Sequence, residues 1–146
     1  MLVNLAGEWH GSGFSSSEST HYIGKLSIEH RATGACLLIS EALWPTSGLR
    51  ALPLSADEHA ALRQSDSRYE DCSMLYFDTN QQTWMVNQYL PDNGVLNKVA
   101  IIEGAEMRWW GGPKQHAVRF TLSTENELRL TVGEPVLIEM LYKRAQ

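Results

Sequence analysis

Residues 74–102 read MLYFDTNQQTWMVNQYLPDNGVLNKVAII, and this stretch decides the fold. It carries most of three runs, Ser73 to Asp78, Thr83 to Leu90 and Gly94 to Ile102, each alternating apolar and polar residues. Alternation with period two marks a strand with one face buried and the other wet. Between the runs stand Asp78-Thr79-Asn80 and Asp92-Asn93-Gly94. Asp and Asn bond their own backbone and Gly and Asn accept positive φ, so both links read as tight reversals. Strands joined this way lie antiparallel, because a parallel pair needs a crossover of about a dozen residues or more.

The same grammar extends in both directions. Upstream it predicts strands at Glu8 to Ser15, His21 to Arg31 and Ala35 to Leu43; downstream, at Glu106 to Trp110, Gln115 to Ser123, Glu127 to Val132 and Val136 to Lys143. Turn chemistry recurs at Thr33-Gly34, Glu103-Gly104, Gly111-Gly112-Pro113, Glu125-Asn126 and Gly133-Glu134-Pro135. About ten strands in a meander predict an all-β fold, an antiparallel up-and-down barrel of the lipocalin-like kind. One insert, Leu52 to Asp71, breaks the rhythm. Ser55 with Glu58 three residues on is a capping box, with Asp57 in the acidic first turn, and predicts a short helix from Ala56 to Gln64. A further strand with a ragged hairpin is the other reading of the insert. Long inserts are where lids sit, so Leu52 to Tyr69 is expected to cover part of the barrel's mouth.

At 146 residues, 43% of them hydrophobic and 20% charged, the chain is expected to form one domain over 1–146 without disulfide or metal support. A net charge of -5 gives no positive field for a phosphate backbone, which argues against nucleic acid as a partner. The start, MLVNLAGEWHGSG, has no charged leader followed by an apolar region, and no apolar run approaches the ~20 residues a membrane span needs, so a cytoplasmic location is expected. Cys36 and Cys72 lack CxxC spacing and read as thiols on strands. His10, His21, His30, His59 and His116 show no local pairing that would build a metal site. Catalytic signatures are sparse as well. Ser12 in GSGFS does not precede a helix, no Gly-rich phosphate loop is present, and Glu41 and Glu139 would pair only by an accident of folding. A binding role is therefore expected in preference to an enzymatic one.

Five tryptophans in so short a chain direct attention to the strand faces. Trp84 shares a face with Val86 and Gln88, Trp109 with Met107, and Trp44 with Cys36, Leu38, Ser40 and Ala42. Apolar walls with occasional amides and hydroxyls suit a ligand cavity, although Trp also packs in plain cores. Gln88, Asn97, Glu41 and Arg119 are polar residues on apolar faces. Burying one unpartnered costs about 1–3 kcal/mol, so each either faces water or a ligand in a hollow barrel, or lies outside after a bulge shifts the strand's phase. The residues expected near a ligand are Trp84, Trp109, His116, Arg119, Gln88, Met85 and Tyr89. Neighbours in a strand point opposite ways, so Trp84 and Trp109 rank above Met85 and Tyr89. Gly7, Gly11 and Gly13 fall on the side of Trp9, where missing side chains let the strand bend or leave clearance for a ligand.

LAGEWHGSG at Leu5 to Gly13 resembles the first-strand Gly-x-Trp element of the calycins, the superfamily of lipocalins, fatty-acid-binding proteins and nitrobindins. EMLYKR at Glu139 to Arg144 is similar to the closing Tyr-x-Arg strand of a set of uncharacterised bacterial lipocalin-like proteins, and MLYFDTNQQTWMVNQY at Met74 to Tyr89 resembles that set's aromatic-Asp hairpin. The resemblance implies a barrel closed by its first and last strands, with Arg144 laid across the Trp9 ring as a structural closure. The chain lacks the cysteine arrangement of secreted lipocalins. For function, it implies a small, largely apolar ligand such as a fatty acid, with no cofactor. Nitrobindins hold haem through one histidine, which makes haem the alternative cofactor, with His116 or His30 as its ligand. A filled barrel acting as an interaction module is the third reading, and a homodimer stays open beside a monomer.

Overall fold

Ten strands pair antiparallel with their neighbours in chain order, and the last pairs with the first, closing the barrel. The computed structural model describes residues 2–46, 55–64, 69–91 and 94–145. Its strands are β1 (Gly7–Ser15), β2 (Thr20–Arg31), β3 (Cys36–Pro45), β4 (Tyr69–Asp78), β5 (Thr83–Leu90), β6 (Gly94–Glu103), β7 (Glu106–Trp110), β8 (Val118–Thr124), β9 (Glu127–Val132) and β10 (Ile138–Arg144). Two helices accompany them, α1 (Leu2–Leu5) and α2 (Ala56–Arg63). The capping box of α2 is formed: the Ser55 hydroxyl accepts from the Glu58 amide, and the Glu58 carboxylate accepts from the Ser55 amide. The described part of the insert is thus helical, while residues 52–54 and 65–68 of the expected lid lie outside the described residues. Among the described residues no helix is long and apolar enough to cross a membrane.

Three strands start two or more residues away from the expected position. β4 begins at Tyr69, four residues before the alternation becomes visible at Ser73, because Glu70 and Asp71 hide the period. β8 begins at Val118, since Lys114–His116 form a 3-10 turn after Pro113, with the His116 amide bonded to the Pro113 carbonyl at 3.0 Å. β10 begins at Ile138, just beyond the Gly133 to Leu137 turn.

An up-and-down barrel sends its turns alternately to two ends, and the two ends here differ. At one end Trp9 is fully buried and its indole Nε1 donates to the Leu5 carbonyl at 2.9 Å, so α1 plugs the barrel. Arg144, the register partner of Trp9, lies with its guanidinium 4.2 Å from the ring centroid. The same guanidinium donates to the carbonyls of Ala6 (2.7 Å), Asn4 (2.5 Å) and Glu125 (2.9 Å). One planar fork therefore ties the N-terminal segment and the β8–β9 turn to the closing strand. Above the plug, Ile28, Leu37, Leu75, Val86, Met107 and Leu128 fill this half of the interior.

The glycines of β1 permit the closure. A Cβ at Gly11 would stand 2.1 Å from the Leu141 carbonyl oxygen, and one at Gly13 would stand 1.9 Å from that of Glu139. Both obstacles are backbone atoms of β10, so these glycines serve strand curvature. Arg144→Ala removes a cation–π contact and several charge-assisted hydrogen bonds at once, and is expected to cost about 2–4 kcal/mol. Arg144→Lys is expected to recover only part of this, because an ammonium cannot reproduce the fork. Urea denaturation followed by circular dichroism measures both.

Candidate functional site

Among the described residues the half of the barrel opposite the plug holds a cavity. This cavity measures about 260 Å³, and none of the residues that fill the closed half lines it. Leu26 of β2, Ile39 of β3, Trp109 of β7, Phe120 of β8, Leu130 of β9 and Met140 of β10 form its apolar wall. Glu41 of β3, Asp71 and Ser73 of β4 and Gln88 of β5 interrupt that wall on one side. The mouth lies among the β1–β2 turn, the start of β4, and the links β7–β8 and β9–β10, where Ser17, Glu18, Tyr69, Gln115, His116 and Leu137 stand.

Glu41 and Asp71 are register partners across β3 and β4 and both face inward, which places their side chains side by side. Glu41 is buried; Asp71 retains some exposure at the mouth. The Tyr142 phenol, reaching across from β10, donates to Glu41 Oε2 at 2.5 Å. Gly24 on β2 makes room for it, since a Cβ there would lie 2.5 Å from the Tyr142 oxygen. Desolvation pushes the Glu41 carboxyl well above the usual carboxylate range, and Asp71 pushes it further, while the Tyr142 hydrogen bond opposes both. Desolvation also raises Asp71, against the pull of a Tyr69 hydrogen bond and the Lys98 charge. Burial holds the Tyr142 phenol neutral to high pH, with the two carboxyls adding to the effect.

Lys98 of β6 is buried too, and its ammonium donates to the His116 carbonyl, stitching β6 to the 3-10 turn at the mouth. Burial lowers its pKa to about 8, and Asp71 resists that fall. His116 is lowered as well, by burial and then by the Lys98 charge, which favours its neutral ring. Two polar atoms of residues that line the cavity, Gln88 Oε1 and Trp109 Nε1, have no hydrogen-bond partner among the described residues. A buried acceptor and a buried donor left unmade on one cavity are costly, and an occupant that bonds them removes that cost.

Of the residues expected at a ligand, Trp109, Gln88 and His116 meet at this cavity. Trp84 has the expected inward phase but stands at the wrong level, near the β4–β5 turn in the closed half, edge-on to Phe77 at 5.4 Å. Met85 and Tyr89 fall on the outer phase of β5, Tyr89 exposed. Arg119 is outside and pairs with Glu106 at 3.4 Å. His30 lies exposed at the end of strand β2, paired with Leu37, and does not line the cavity. Asn97 is outside as well: β6 turns Leu96, Lys98, Ala100 and Ile102 inward, the reverse of the phase suggested by Val95 and Val99. The face of Trp44 with Leu38, Ser40 and Ala42 also points away from the cavity. Glu139 is outside beside Arg129, so the carboxyl that neighbours Glu41 is Asp71.

His116, the haem ligand of the alternative reading, stands at the mouth of this cavity, close enough to the Lys98 ammonium to feel its charge. Among the described residues no group of three or more His, Cys, Asp and Glu could hold a metal ion.

No protein-family model matches the chain. No curated protein matches it either. Among solved structures it is similar to a protein of unknown function from the DUF3598 family of Nostoc punctiforme, at 9% identity and a TM-score of 0.25, over 99% of this chain and 97% of that one.

The buried carboxyls set a pH dependence of stability. Between the ordinary carboxylate range and neutral pH the folded chain keeps protons at Glu41 and Asp71 that the unfolded chain has released. Their contribution is therefore lost as pH rises from about 5 to 8, at up to about 1.4 kcal/mol per pH unit for each retained proton. Glu41→Gln and Asp71→Asn are each expected to gain stability relative to the native chain as pH rises through this window. Urea midpoints taken at intervals from pH 5 to 8 measure the difference.

Proposed function

We propose that this chain is a calycin-like binding protein that holds a small, largely apolar molecule in the open half of its barrel. The observation that carries this reading is the apolar cavity at the end away from α1, lined by Gln88 and Trp109, whose buried Oε1 and Nε1 have no hydrogen-bond partner among the described residues. A barrel built only as a scaffold gains by filling its interior, because each empty volume forfeits dispersion contacts and each unmade hydrogen bond costs about 1–3 kcal/mol. Leu26, Ile39, Phe120 and Met140 offer burial to an apolar body, worth about 25 cal/mol per Å² removed from water. Trp109 adds an aromatic face. The polar side at Glu41, Asp71 and Gln88 then fixes which end of the occupant points where.

The neutral fluorescent probe N-phenyl-1-naphthylamine tests the reading. Its emission is expected to rise and saturate with the native chain. Ile39→Trp, which fills the cavity, is expected to weaken binding at least about tenfold, the equivalent of ~1.4 kcal/mol. Tyr89→Ala, on the outer face, serves as the control and is expected to bind as the native chain does. Equal binding to Ile39→Trp, with its circular dichroism spectrum unchanged, or no binding to the native chain, would overturn the proposal and favour an interaction module.

A further inference from the structure

We infer that the molecule held in this cavity carries a protonated amine on its apolar body, with the ammonium seated between Glu41 and Asp71 and hydrogen-bonded to Gln88. The inference rests on the cavity-binding reading above and names the chemical class of the occupant.

The charges around the cavity lead to it. Three acids line the space, Glu18, Glu41 and Asp71. Glu18 is engaged at the rim, accepting from the Tyr22 phenol. Glu41 accepts one bond from Tyr142, and Asp71 one from Tyr69, which leaves each carboxyl with further acceptor capacity. Against these stands one ammonium, that of Lys98, with a proton committed to the His116 carbonyl. His116 itself is held toward its neutral form. Tyr22, Tyr69 and Tyr142 are phenols and carry no positive charge; on the outer side of the pair Glu70 adds a further acid, and Lys25 is paired with Glu8 at 3.4 Å. Among the described residues the ionised cavity is therefore short of cations.

Gln88 supplies an independent sign. Its Oε1 is buried and has no donor among the described residues, and the residue lines the same side of the cavity. Gln88 is the register partner of Ser73 on β4, one inward step from Asp71, so the three side chains form one patch. A primary ammonium brings three N–H donors and no acceptor, which matches two carboxylates and an amide oxygen. A carboxylate or phosphate head would meet two acids and the acceptor Oε1. An alcohol brings one donor and, once the pair is ionised, leaves the charges unpaired. On the opposite wall Trp109 and Phe120, with ring centroids 5.3 Å apart, suit an aromatic or branched alkyl body.

The pairing couples binding to protons. Burial keeps Glu41 and Asp71 largely protonated near neutral pH without an occupant, and an ammonium between them favours their ionised forms. Binding should therefore release protons, and affinity should rise with pH until the carboxyls are ionised.

The test displaces N-phenyl-1-naphthylamine with three molecules that share one body: 2-phenylethylamine, 2-phenylethanol and 3-phenylpropionate. At pH 8 the amine is expected to compete at least about tenfold more tightly than the alcohol, and the carboxylate least of all. The amine's affinity is expected to rise from pH 6 to 8, by up to about tenfold per pH unit for each proton released. Glu41→Gln and Asp71→Asn are expected to weaken the amine at least about tenfold, flatten its pH profile and leave the alcohol unchanged. An alcohol or carboxylate that matches the amine, a flat pH profile, or variants that weaken all three molecules equally would overturn the inference while the apolar-cavity reading stands. A native chain that fails to bind the probe removes both.

Discussion

The closure of β1 against β10 is the constraint from which the remaining structure follows. A meander of ten strands has two free edges unless its first and last strands meet, and exposed edges invite pairing with other chains. Here the edges are joined over Trp9 to Ser15 by glycines that let the backbones approach, and are held by a guanidinium laid on an indole. Because the clamp and α1 occupy one end, the apolar residues of that end have a floor to pack on. The other end has no equivalent plug among the described residues, and its walls stand apart.

That asymmetry sets the electrostatics. Glu41, Asp71 and Lys98 are surrounded by apolar neighbours, which withdraws water without supplying full compensation. Such groups cost stability, and two acids in register oppose each other further. Tyr142 offsets part of this at Glu41, and it links the two halves: its strand carries the clamp residue Arg144 two positions on, while its phenol reaches the acid on β3. A closing strand whose alternate residues serve the clamp and the acid pair ties the hollow half's chemistry to the filled half's integrity.

The strand count, antiparallel order and helix of the insert were legible because each is a local property of alternation, turn chemistry and capping. The pairing of Trp9 with Arg144 was implied by resemblance, not by periodicity. The site was legible only in part. Gln88, Glu41 and Trp109 stand out as residues that interrupt or enrich an apolar face. Asp71 was hidden by its acidic neighbour Glu70, which makes the start of β4 look like loop. Lys98 was missed because over residues 95–102 each face of β6 carries three apolar residues and one polar one, so the sequence does not select the phase. Trp84 shows a different limit: period two gives the face of a strand but not the height along the barrel, and height divides core from cavity here. His116 gained its place from a 3-10 turn that Pro113 introduces, outside the grammar of strands.

Carbon-detected NMR titration of the Glu41 and Asp71 side-chain carboxyls reads whether the two acids share a space withdrawn from water. Both midpoints are expected well above the ordinary carboxylate range, moving toward it when 2-phenylethylamine is added. Midpoints in the ordinary carboxylate range, unmoved by the amine, would mean that water fills the barrel's open half and that no site of this kind exists there.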